Sequence, residues 1–425
     1  MLQGGLFVGG AVIGGAAAAT ATAALNTGAR PPGSEVEPYY GPHQSGIVTD
    51  TQQHTVLAAF DLNTTSREHV TELLRRWSDL AAQLTQGRSA TIPIYEPADT
   101  PNAYADTTGK STRSDSLEAW QSGPNRLTLT IGLGRTLFLR DGTDRFGLAA
   151  KLPAQLVELP HFPGDQLAPD QSNGDLLIHA CGDDLQAVFH GVRSLARVSP
   201  DIATLRWTQI GYSPSNNAGT PRNLMGFKDG TINSNAHPPA DLDAPLWAGS
   251  DGPAWMGGGS YLVYRRIRIT LEHWDRLPVA AQEQVIGRQK VSGAPLGASG
   301  EFDALDLAAR DGAGQLHIPE TAHVRLAAPE TNDGAVLIRR AFSYNNGTTQ
   351  FTERWPPWRQ ALEYDAGLLF LGYQRDPRTA FVPINSRLAI NDALNQFITH
   401  TASAVFALPP GAPAAGHWVG ETLFA

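Results

Sequence analysis

The chain is poor in cysteine: among its 425 residues, Cys181 is the single one. An internal disulfide is therefore excluded. The cysteine count does not decide the cellular compartment, because an exported protein with a large hydrophobic core can be stable without disulfides. Hydrophobic residues make up 41% of the chain and charged residues 17%. Such a composition is typical of a globular protein, and the length suits one large domain or two linked ones.

Basic charge is also scarce. The 32 lysines and arginines are outnumbered by 41 aspartates and glutamates, which gives a net charge of −9 and a pI near 5.7. No run of lysine or arginine occurs. A surface that binds the phosphate backbone of nucleic acids is therefore not expected, and no nucleic-acid partner is predicted.

The N-terminus lacks a basic residue ahead of its apolar stretch, Leu6 to Ile13. The small residues from Ala16 to Ala24 offer cleavage sites of the A-x-A type, so residues 1–29 are predicted to be an export signal with its cleavage region. A transmembrane anchor is the competing interpretation, but this alanine- and glycine-rich sequence is weakly hydrophobic for one. Residues 30–38, rich in proline, are predicted as a linker, and no stable membrane anchor is expected in the mature chain.

Hydrophobic periodicity predicts two successive β-α-β-β-α-β units, the ferredoxin-like order. In the first unit, strands are predicted from His54 to Phe60, Leu127 to Ile131, Asp175 to Ala180 and Thr204 to Tyr212, with helices after Thr65 and after Asp183 or Asp184. In the second, strands are predicted from Tyr261 to Ile269, Val336 to Tyr344, Gly367 to Tyr373 and Ser403 to Ala407, with helices from Pro278 to about Lys290 and from Leu388 to Thr399. The fold class is therefore α+β, with duplicated ferredoxin-like halves at residues 39–225 and 226–425.

The second unit is preceded by Gly226-Phe227-Lys228-Asp229-Gly230-Thr231-Ile232-Asn233, which has neither a helical nor a strand period. Its glycines allow backbone angles that other residues avoid, and they leave room for a flat group to approach. A tight loop would then present the carboxylate of Asp229. The alternative is an ordinary β-turn, since Lys-Asp-Gly is common turn chemistry.

Other notable segments stand in a fixed order around this loop: Tyr40-Gly41-Pro42-His43-Gln44-Ser45-Gly46-Ile47, Ser292-Gly293-Ala294-Pro295-Leu296, Ala322-His323-Val324-Arg325-Leu326-Ala327, Leu337-Ile338-Arg339-Arg340-Ala341-Phe342-Ser343-Tyr344 and Asp365-Ala366-Gly367-Leu368-Leu369-Phe370. Together with the GxxDG pattern of the loop, they resemble the dye-decolourising peroxidases, a family of haem enzymes. The resemblance runs from about residue 39 to about 408. It is greatest to the secreted A-type branch, which includes deferrochelatase-like proteins.

The resemblance implies a dimeric α+β barrel-type fold built from the two halves, with haem b bound by the second half. Covalent attachment of the c type needs two cysteines, so this haem would be non-covalently bound. Related A-type proteins usually carry a twin-arginine signal. A secreted or cell-envelope location is therefore expected, although this start carries no such arginines. The sequence leaves open whether the protein is a monomer or a homo-oligomer.

Three residues match the family's haem chemistry. His323, at the head of a strand-like segment, matches the proximal ligand of the iron, with His317 as its rival; imidazole is a common axial ligand. Asp229 matches the distal acid–base residue, since one carboxylate can take a proton from hydrogen peroxide and return it. Arg339 matches the distal arginine, a cation that stabilises charge on the departing oxygen. Strand alternation sends Arg339 and Arg340 to opposite faces; the alternative is one salt-bridged and one solvated arginine.

Four more residues are assigned around the haem. Thr231, Ile232 and Asn233 are expected at its edge by continuity with the loop. Asp365 is assigned as the carboxylate that accepts the other ring N–H of the histidine ligand, which would orient the ring and make it more basic. A surface aspartate at the start of a strand is an equal alternative.

The predicted function is that of a haem b peroxidase, which uses hydrogen peroxide to oxidise dyes, phenols and other small aromatic donors through a ferryl intermediate. Bulky dyes cannot reach a buried haem, so Trp355 and Trp358 are candidate surface radical sites; the alternative is that they pack a proline-rich loop. Two other functions stay open. One is deferrochelatase-like release of iron from haem, and the other is a non-catalytic binding protein, with or without haem.

Overall fold

The structure, a computed structural model, describes residues 33–89, 115–214, 219–231, 243–349 and 363–425. The predicted export signal lies outside the described residues, as does the start of the linker. Four of the predicted site residues also lie outside them: Ile232, Asn233, Trp355 and Trp358.

The N-terminal half folds as the predicted β-α-β-β-α-β unit. Its strands are β1 (His54–Leu62), β2 (Thr128–Gly134), β3 (Leu176–Gly182) and β4 (Ala203–Tyr212), and its helices are α1 (Arg67–Leu84), α2 (Arg135–Phe138) and α3 (Leu185–Arg197). Helix α1 begins where the hydroxyl of Ser66 accepts the backbone N–H of His69 at 3.2 Å, the usual bond of an N-terminal serine cap. Its apolar face buries Trp77 against Phe60 of β1, with ring centroids 5.2 Å apart.

The C-terminal half repeats this order with shorter helices. Its strands are β5 (Ser260–Ile269), β6 (Ile338–Thr349), β7 (Glu363–Gln374) and β8 (Ile398–Leu408). Its helices are α4 (Asp243–Leu246), α5 (Leu271–Trp274), α6 (Val279–Ile286), α7 (His323–Ala327), α8 (Phe381–Asn391) and α9 (Glu421–Phe424). Short 3₁₀ helices span Ala149–Lys151, Pro169–Gln171, Ala254–Met256, Pro329–Thr331 and Ala393–Gln396.

The described strands close into one antiparallel barrel in the order β1-β3-β2-β8-β5-β7-β6-β4. Within each half the order is that of a ferredoxin-like sheet, β4-β1-β3-β2 in the first and β8-β5-β7-β6 in the second. The halves join at two short seams, where β2 pairs with β8 through Leu133 and Gly134, and β4 pairs with β6 through Tyr212. The duplicated α+β fold predicted from periodicity is therefore confirmed.

The barrel wall separates an aromatic interior from a binding surface on its outer side. Inside, Trp207 stacks on Tyr264 with ring centroids 5.0 Å apart. Neighbouring arginines of β6 point to opposite sides, as strand alternation predicts. Arg340 is buried on the inner side and donates to the side-chain oxygen of Gln52 at 2.5 Å, whereas Arg339 lines a cavity on the outer side.

Two elements beside this cavity differ from the prediction. The helix predicted from Leu388 to Thr399 is wrong at both ends, since α8 spans Phe381–Asn391 and Ile398 and Thr399 belong to β8. The helix ends at Asn391 because Asp392 is extended (ψ 122°) and its side chain accepts the backbone N–H of Leu394. The segment from His323, predicted to be strand-like, is the one-turn helix α7. So few alternating residues do not distinguish the helical period from the strand period.

Candidate active site

A cavity of about 290 Å³ lies in the C-terminal half, between the outer face of the sheet and helices α7 and α8. Most of its lining is apolar and includes Ile267, Val324, Leu337, Leu368, Phe370 and Leu388. Four of the predicted site residues, Asp229, Thr231, His323 and Arg339, line this cavity. An apolar cleft with a few converging polar groups is the usual form of a small-molecule site.

Asp229 is presented by a loop that Asn223 organises. The side-chain oxygen of Asn223 accepts the backbone N–H groups of Met225 at 3.0 Å and Phe227 at 3.3 Å. Its side-chain nitrogen donates to Oδ2 of Asp229 at 3.2 Å. The turn also requires a left-handed conformation at Gly230, whose φ is 104°. A single amide side chain therefore fixes both the backbone of the loop and the orientation of the carboxylate.

The loop is braced from outside the cavity by the segment around Ser292-Gly293-Ala294-Pro295-Leu296. Arg222 donates to the backbone carbonyls of Gly226 at 2.8 Å and Lys290 at 2.6 Å, and so ties the loop to that segment. Lys228 forms an ion pair with Glu301, which also accepts the hydroxyl of Thr231 at 3.2 Å. Thr231 lines the cavity with its loop, where continuity places it.

The carboxylate of Asp229 and the guanidinium of Arg339 form an ion pair, with Nη2 2.7 Å from Oδ1. The Asp229 side chain is only 10% exposed and that of Arg339 26%. Despite the short distance, Oδ1 accepts no properly aligned hydrogen bond from the described residues. A buried carboxylate oxygen is costly to leave in that state. Oδ1 of Asp229 can therefore accept a hydrogen bond from a molecule bound in the cavity.

His323 meets Asp392 on the other side of its ring. Its Nδ1 lies 2.6 Å from Oδ2 of Asp392, whose side chain is 2% exposed and uses its second oxygen to accept the backbone N–H of Leu394 at 2.8 Å. A carboxylate only accepts, so Nδ1 carries the proton and Nε2 keeps its lone pair. Nε2 makes no hydrogen bond to the described residues, and the ring is 30% exposed. That nitrogen is suited to a metal ion.

The assignment of Asp365 as the partner of the histidine is wrong. Asp365 accepts from the hydroxyl of Tyr344 at 3.4 Å and from the side-chain nitrogen of Asn346 at 3.1 Å. Asp365 lies near the start of β7, where its carboxylate bonds to Tyr344 and Asn346 instead of His323. Asp392 lies between α8 and β8, next to the histidine ring. His317, the rival ligand, packs over Gly297 and does not line the cavity.

The residues fit a haem in three respects. Most of the lining is apolar, the imidazole of His323 offers an unengaged nitrogen, and Oδ1 of Asp229 is buried without an aligned donor. A single imidazole is enough, because a porphyrin would supply four nitrogen ligands of the iron itself. The described residues contain no group of three or more His, Cys, Asp or Glu side chains that would hold a bare metal ion.

Comparison with known proteins decides the family. Residues 44–213 match Dyp-type peroxidase, N-terminal, and residues 220–413 match Dyp-type peroxidase, C-terminal. The chain belongs to the Dyp-type peroxidase family. It is therefore a haem peroxidase, an oxidoreductase that acts on hydrogen peroxide with small-molecule donors, and haem is its cofactor. When bound, the haem supplies the oxidising chemistry, while the protein supplies position and protons.

Proteins similar to this chain match most of its length. A Deferrochelatase from Shigella sonnei is 33% identical over 92% of this chain and 88% of its own length. A Dye-decolorizing peroxidase from Thermobifida fusca is 38% identical over 84% of this chain and 76% of its own. The solved structure of ferric DtpA from Streptomyces lividans is 39% identical with a TM-score of 0.79, and the match covers 93% of this chain and 100% of that one.

Two residues of this Dyp-type site were not predicted from the sequence. Asn223 stands just before the GxxDG pattern, and it bonds to the backbone N–H groups of Met225 and Phe227. An asparagine in that place could have been recognised as a turn residue, because asparagine side chains often bond to the backbone two residues on. Asp392 carries a weaker signal, that of a capping residue within an otherwise helical run.

Among the described residues, no helix is long and apolar enough to cross a membrane.

Proposed function

We propose that this Dyp-type peroxidase uses Asp229 as its acid–base residue, Arg339 as its cation and His323 as the ligand of the haem iron. The observation that carries the proposal is the buried Oδ1 of Asp229, which faces the cavity without an aligned hydrogen bond. Such an oxygen accepts a proton from hydrogen peroxide and returns it to the departing oxygen. Arg339, 2.7 Å away, stabilises the negative charge that develops there.

Asp392 completes the other side of the site in this proposal. By accepting the N–H of His323 at 2.6 Å, it fixes the ring and raises the basicity of the nitrogen that faces the cavity. Its second oxygen accepts the backbone N–H of Leu394. The carboxylate that orients the ring is therefore itself fixed by the backbone. Dyes, phenols and similar aromatic molecules are the proposed donors, with Trp355 and Trp358 as proposed radical sites.

We propose residues 226–425 as the haem-binding half, and the position of the cavity lining along the chain supports this. Nearly all side chains that line the cavity follow residue 226; the earlier ones are Phe162, Pro163, Asp165, Asn223 and Met225. The N-terminal half, residues 39–225, therefore contributes a smaller part of the cavity lining, together with Asn223, which holds the Asp229 loop in place.

The test is Asp229→Asn, because the amide keeps the shape but cannot accept a proton as a base. The rate of the Soret change after mixing with hydrogen peroxide is expected to fall by roughly 10²–10⁴, with haem retained. Asp365→Asn is the matched control and is expected to keep the wild-type rate, since it makes the same change at a carboxylate that bonds to Tyr344 and Asn346 and does not line the cavity. An unchanged rate for Asp229→Asn would transfer the acid–base role to Arg339, to water or to another group.

A second candidate function is release of iron from haem, favoured by the relative named Deferrochelatase at 33% identity over 92% of this chain. It would use the same cavity and differ in its products. Chromatography of the pigment after incubation separates the two functions: recovery of intact iron-free porphyrin supports iron release, whereas unchanged haem together with donor oxidation supports peroxidase activity alone.

Export is also part of the proposal. Cleavage is proposed within residues 1–29, the export signal and cleavage region, with delivery to the cell envelope or the exterior by the twin-arginine route. N-terminal sequencing of extracellular or envelope protein is expected to show that the residues up to about 24–29 are absent. An intact Met1 on that material would contradict the proposal.

A further inference from the structure

A second polar cluster lies inside the barrel, on the side of the wall opposite the haem cavity. The hydroxyl of Tyr373 lies 3.0 Å from Nδ1 of His179, and Nε2 of His179 lies 3.0 Å from the hydroxyl of Thr55 and 3.0 Å from the sulfur of Cys181. All four side chains are fully buried. Nothing in the proposed peroxide chemistry uses them.

The hydrogen bonds determine which atom carries each proton. The hydroxyl of Thr55 donates to the backbone carbonyl of Ala180 at 3.1 Å, and the thiol of Cys181 donates to the Thr55 oxygen at 3.4 Å. Both of these protons point away from Nε2 of His179, so Nε2 carries the ring proton and donates to Thr55. Nδ1 is then the acceptor, and the phenol of Tyr373 donates to it. Burial and the nearby charge of Arg340 lower the pKa of His179 to about 3, so the ring is neutral and the lone pair of Nδ1 accepts the hydrogen bond of the phenol. The cluster is thus a phenol hydrogen-bonded to a base, sealed from water.

The cluster is also directly behind the strand that carries Arg339. Tyr373 follows Gly372 in β7, and Gly372 pairs with Arg339 of β6. Strand spacing and rise place the backbone of Tyr373 about 6 Å from that of Arg339. The side chain of Tyr373 is therefore separated from the cavity by the thickness of the sheet alone, and Arg340, the next residue of β6, lies on the same inner side as the phenol.

We propose that Tyr373 and His179 form a proton-coupled redox site, in which Tyr373 gives one electron to haem that peroxide has oxidised while its hydroxyl proton moves to Nδ1 of His179. The O–H bond of Tyr373 breaks and an N–H bond forms on His179. The tyrosine is oxidised to a neutral phenoxyl radical and the haem is reduced by one electron. When a donor returns an electron to the radical, the proton moves back. The proposal rests on the haem peroxidase activity of the family and not on the roles assigned to Asp229 or His323.

The proton acceptor is what distinguishes Tyr373 from other buried tyrosines. Tyr261 of β5 is also fully buried, but its hydroxyl has no hydrogen-bond partner among the described residues. Oxidation there would leave the proton on the oxidised phenol, because no acceptor in the described part of the chain is bonded to that hydroxyl. Tyr261→Phe is therefore the matched control for Tyr373→Phe: each removes one buried hydroxyl, and they differ in whether a base is attached.

The experiment is electron paramagnetic resonance of the haem-loaded protein, freeze-quenched after one equivalent of hydrogen peroxide, with ring-deuterated tyrosine to identify tyrosyl signals. Tyr373→Phe is expected to lower the tyrosyl signal roughly tenfold or more, and Tyr261→Phe is expected to leave it unchanged. His179→Asn keeps an acceptor for the phenol but not a base, so formation of the radical is expected to slow by roughly 10²-fold, and its g values are expected to change.

Soret absorption and peroxide consumption are recorded on the same samples, and thermal unfolding checks that each variant is folded. An undiminished tyrosyl signal in Tyr373→Phe, with normal haem and peroxide consumption, overturns the inference alone. A lost signal in Tyr373→Phe with unchanged kinetics in His179→Asn overturns the role of the base. A wild-type protein that binds no haem or consumes no peroxide overturns both this inference and the assignment as a peroxidase.

Discussion

The exchange of Asp392 for asparagine tests the proximal half of the site. In the structure one carboxylate oxygen accepts from His323 at 2.6 Å and the other accepts from the backbone N–H of Leu394 at 2.8 Å. An amide has a single acceptor oxygen, so Asp392→Asn loses one of these two bonds. It also removes the negative charge that makes the imidazole more basic.

The size of the effect follows from such partners of metal ligands, which are typically worth 10–100-fold in metal affinity or activity. If this loss falls on the ferric state, the iron reduction potential rises by roughly 60–120 mV, since a tenfold change corresponds to about 59 mV for one electron. If the amide oxygen instead keeps the bond to His323 and the cap at Leu394 is lost, stability falls by about 1 kcal/mol. Spectroelectrochemical titration of the Soret band measures the potential, and urea unfolding measures the stability.

Asp365→Asn provides the control, because it makes the same chemical change at the carboxylate that bonds to Tyr344 and Asn346. Its potential is expected to stay at the wild-type value. A potential that is unchanged in Asp392→Asn, or one that moves as far in Asp365→Asn, would refute the reasoning and return the proximal role to another carboxylate.

Three further predictions concern the ligand, the loop and the response to pH. His323→Ala is expected to lose most of its haem affinity while His317→Ala stays close to wild type, as judged by Soret titration with haemin; the reverse result would contradict the assignment of the ligand. Asn223→Ala is expected to slow the peroxide reaction at least tenfold by releasing the loop carboxylate, and rapid mixing that shows a wild-type rate would oppose this. The pKa values of His179 and His400 are lowered to about 3, chiefly by burial, so their stabilising effect is complete above the unfolded pKa near 6.5 and is lost as pH falls toward 3. Urea unfolding should show a loss of about 2 kcal/mol per histidine between pH 7 and pH 5, and equal stability at the two pH values would be inconsistent with it.

The sequence predicted the frame of the molecule because its strands carry clear apolar periods. Alternation in β6 placed Arg339 and Arg340 on opposite faces, and the glycines around Asp229 indicated a tight loop. Helix ends were harder, since they depend on single residues. Helix α6 ends at Ile286 rather than near Lys290, because Gly287 takes a left-handed φ of 90°.

The partner of the histidine was missed for a related reason. Asp392 is 69 residues from His323 along the chain, and their contact depends on where α8 breaks. A continuous helix to Thr399 would have carried that carboxylate around the helix axis, away from the ring. Asp365 lies in a segment that resembles the family, but a resemblance places a residue in the chain and does not place its carboxylate in space.

The two halves share one strand order, and the cavity lies over the sheet of the second half. In the first half, the long helix α1 presses Trp77 directly onto the sheet against Phe60. In the second half, α7 has 5 residues and α8 has 11, so these helices cover the sheet without filling the space above it. A cofactor cavity can thus arise when the helices that cover a sheet are shortened. The first half would then be a ready scaffold for design, in which trimming the side chains under α1 opens a second chamber related to the first by the symmetry of the barrel.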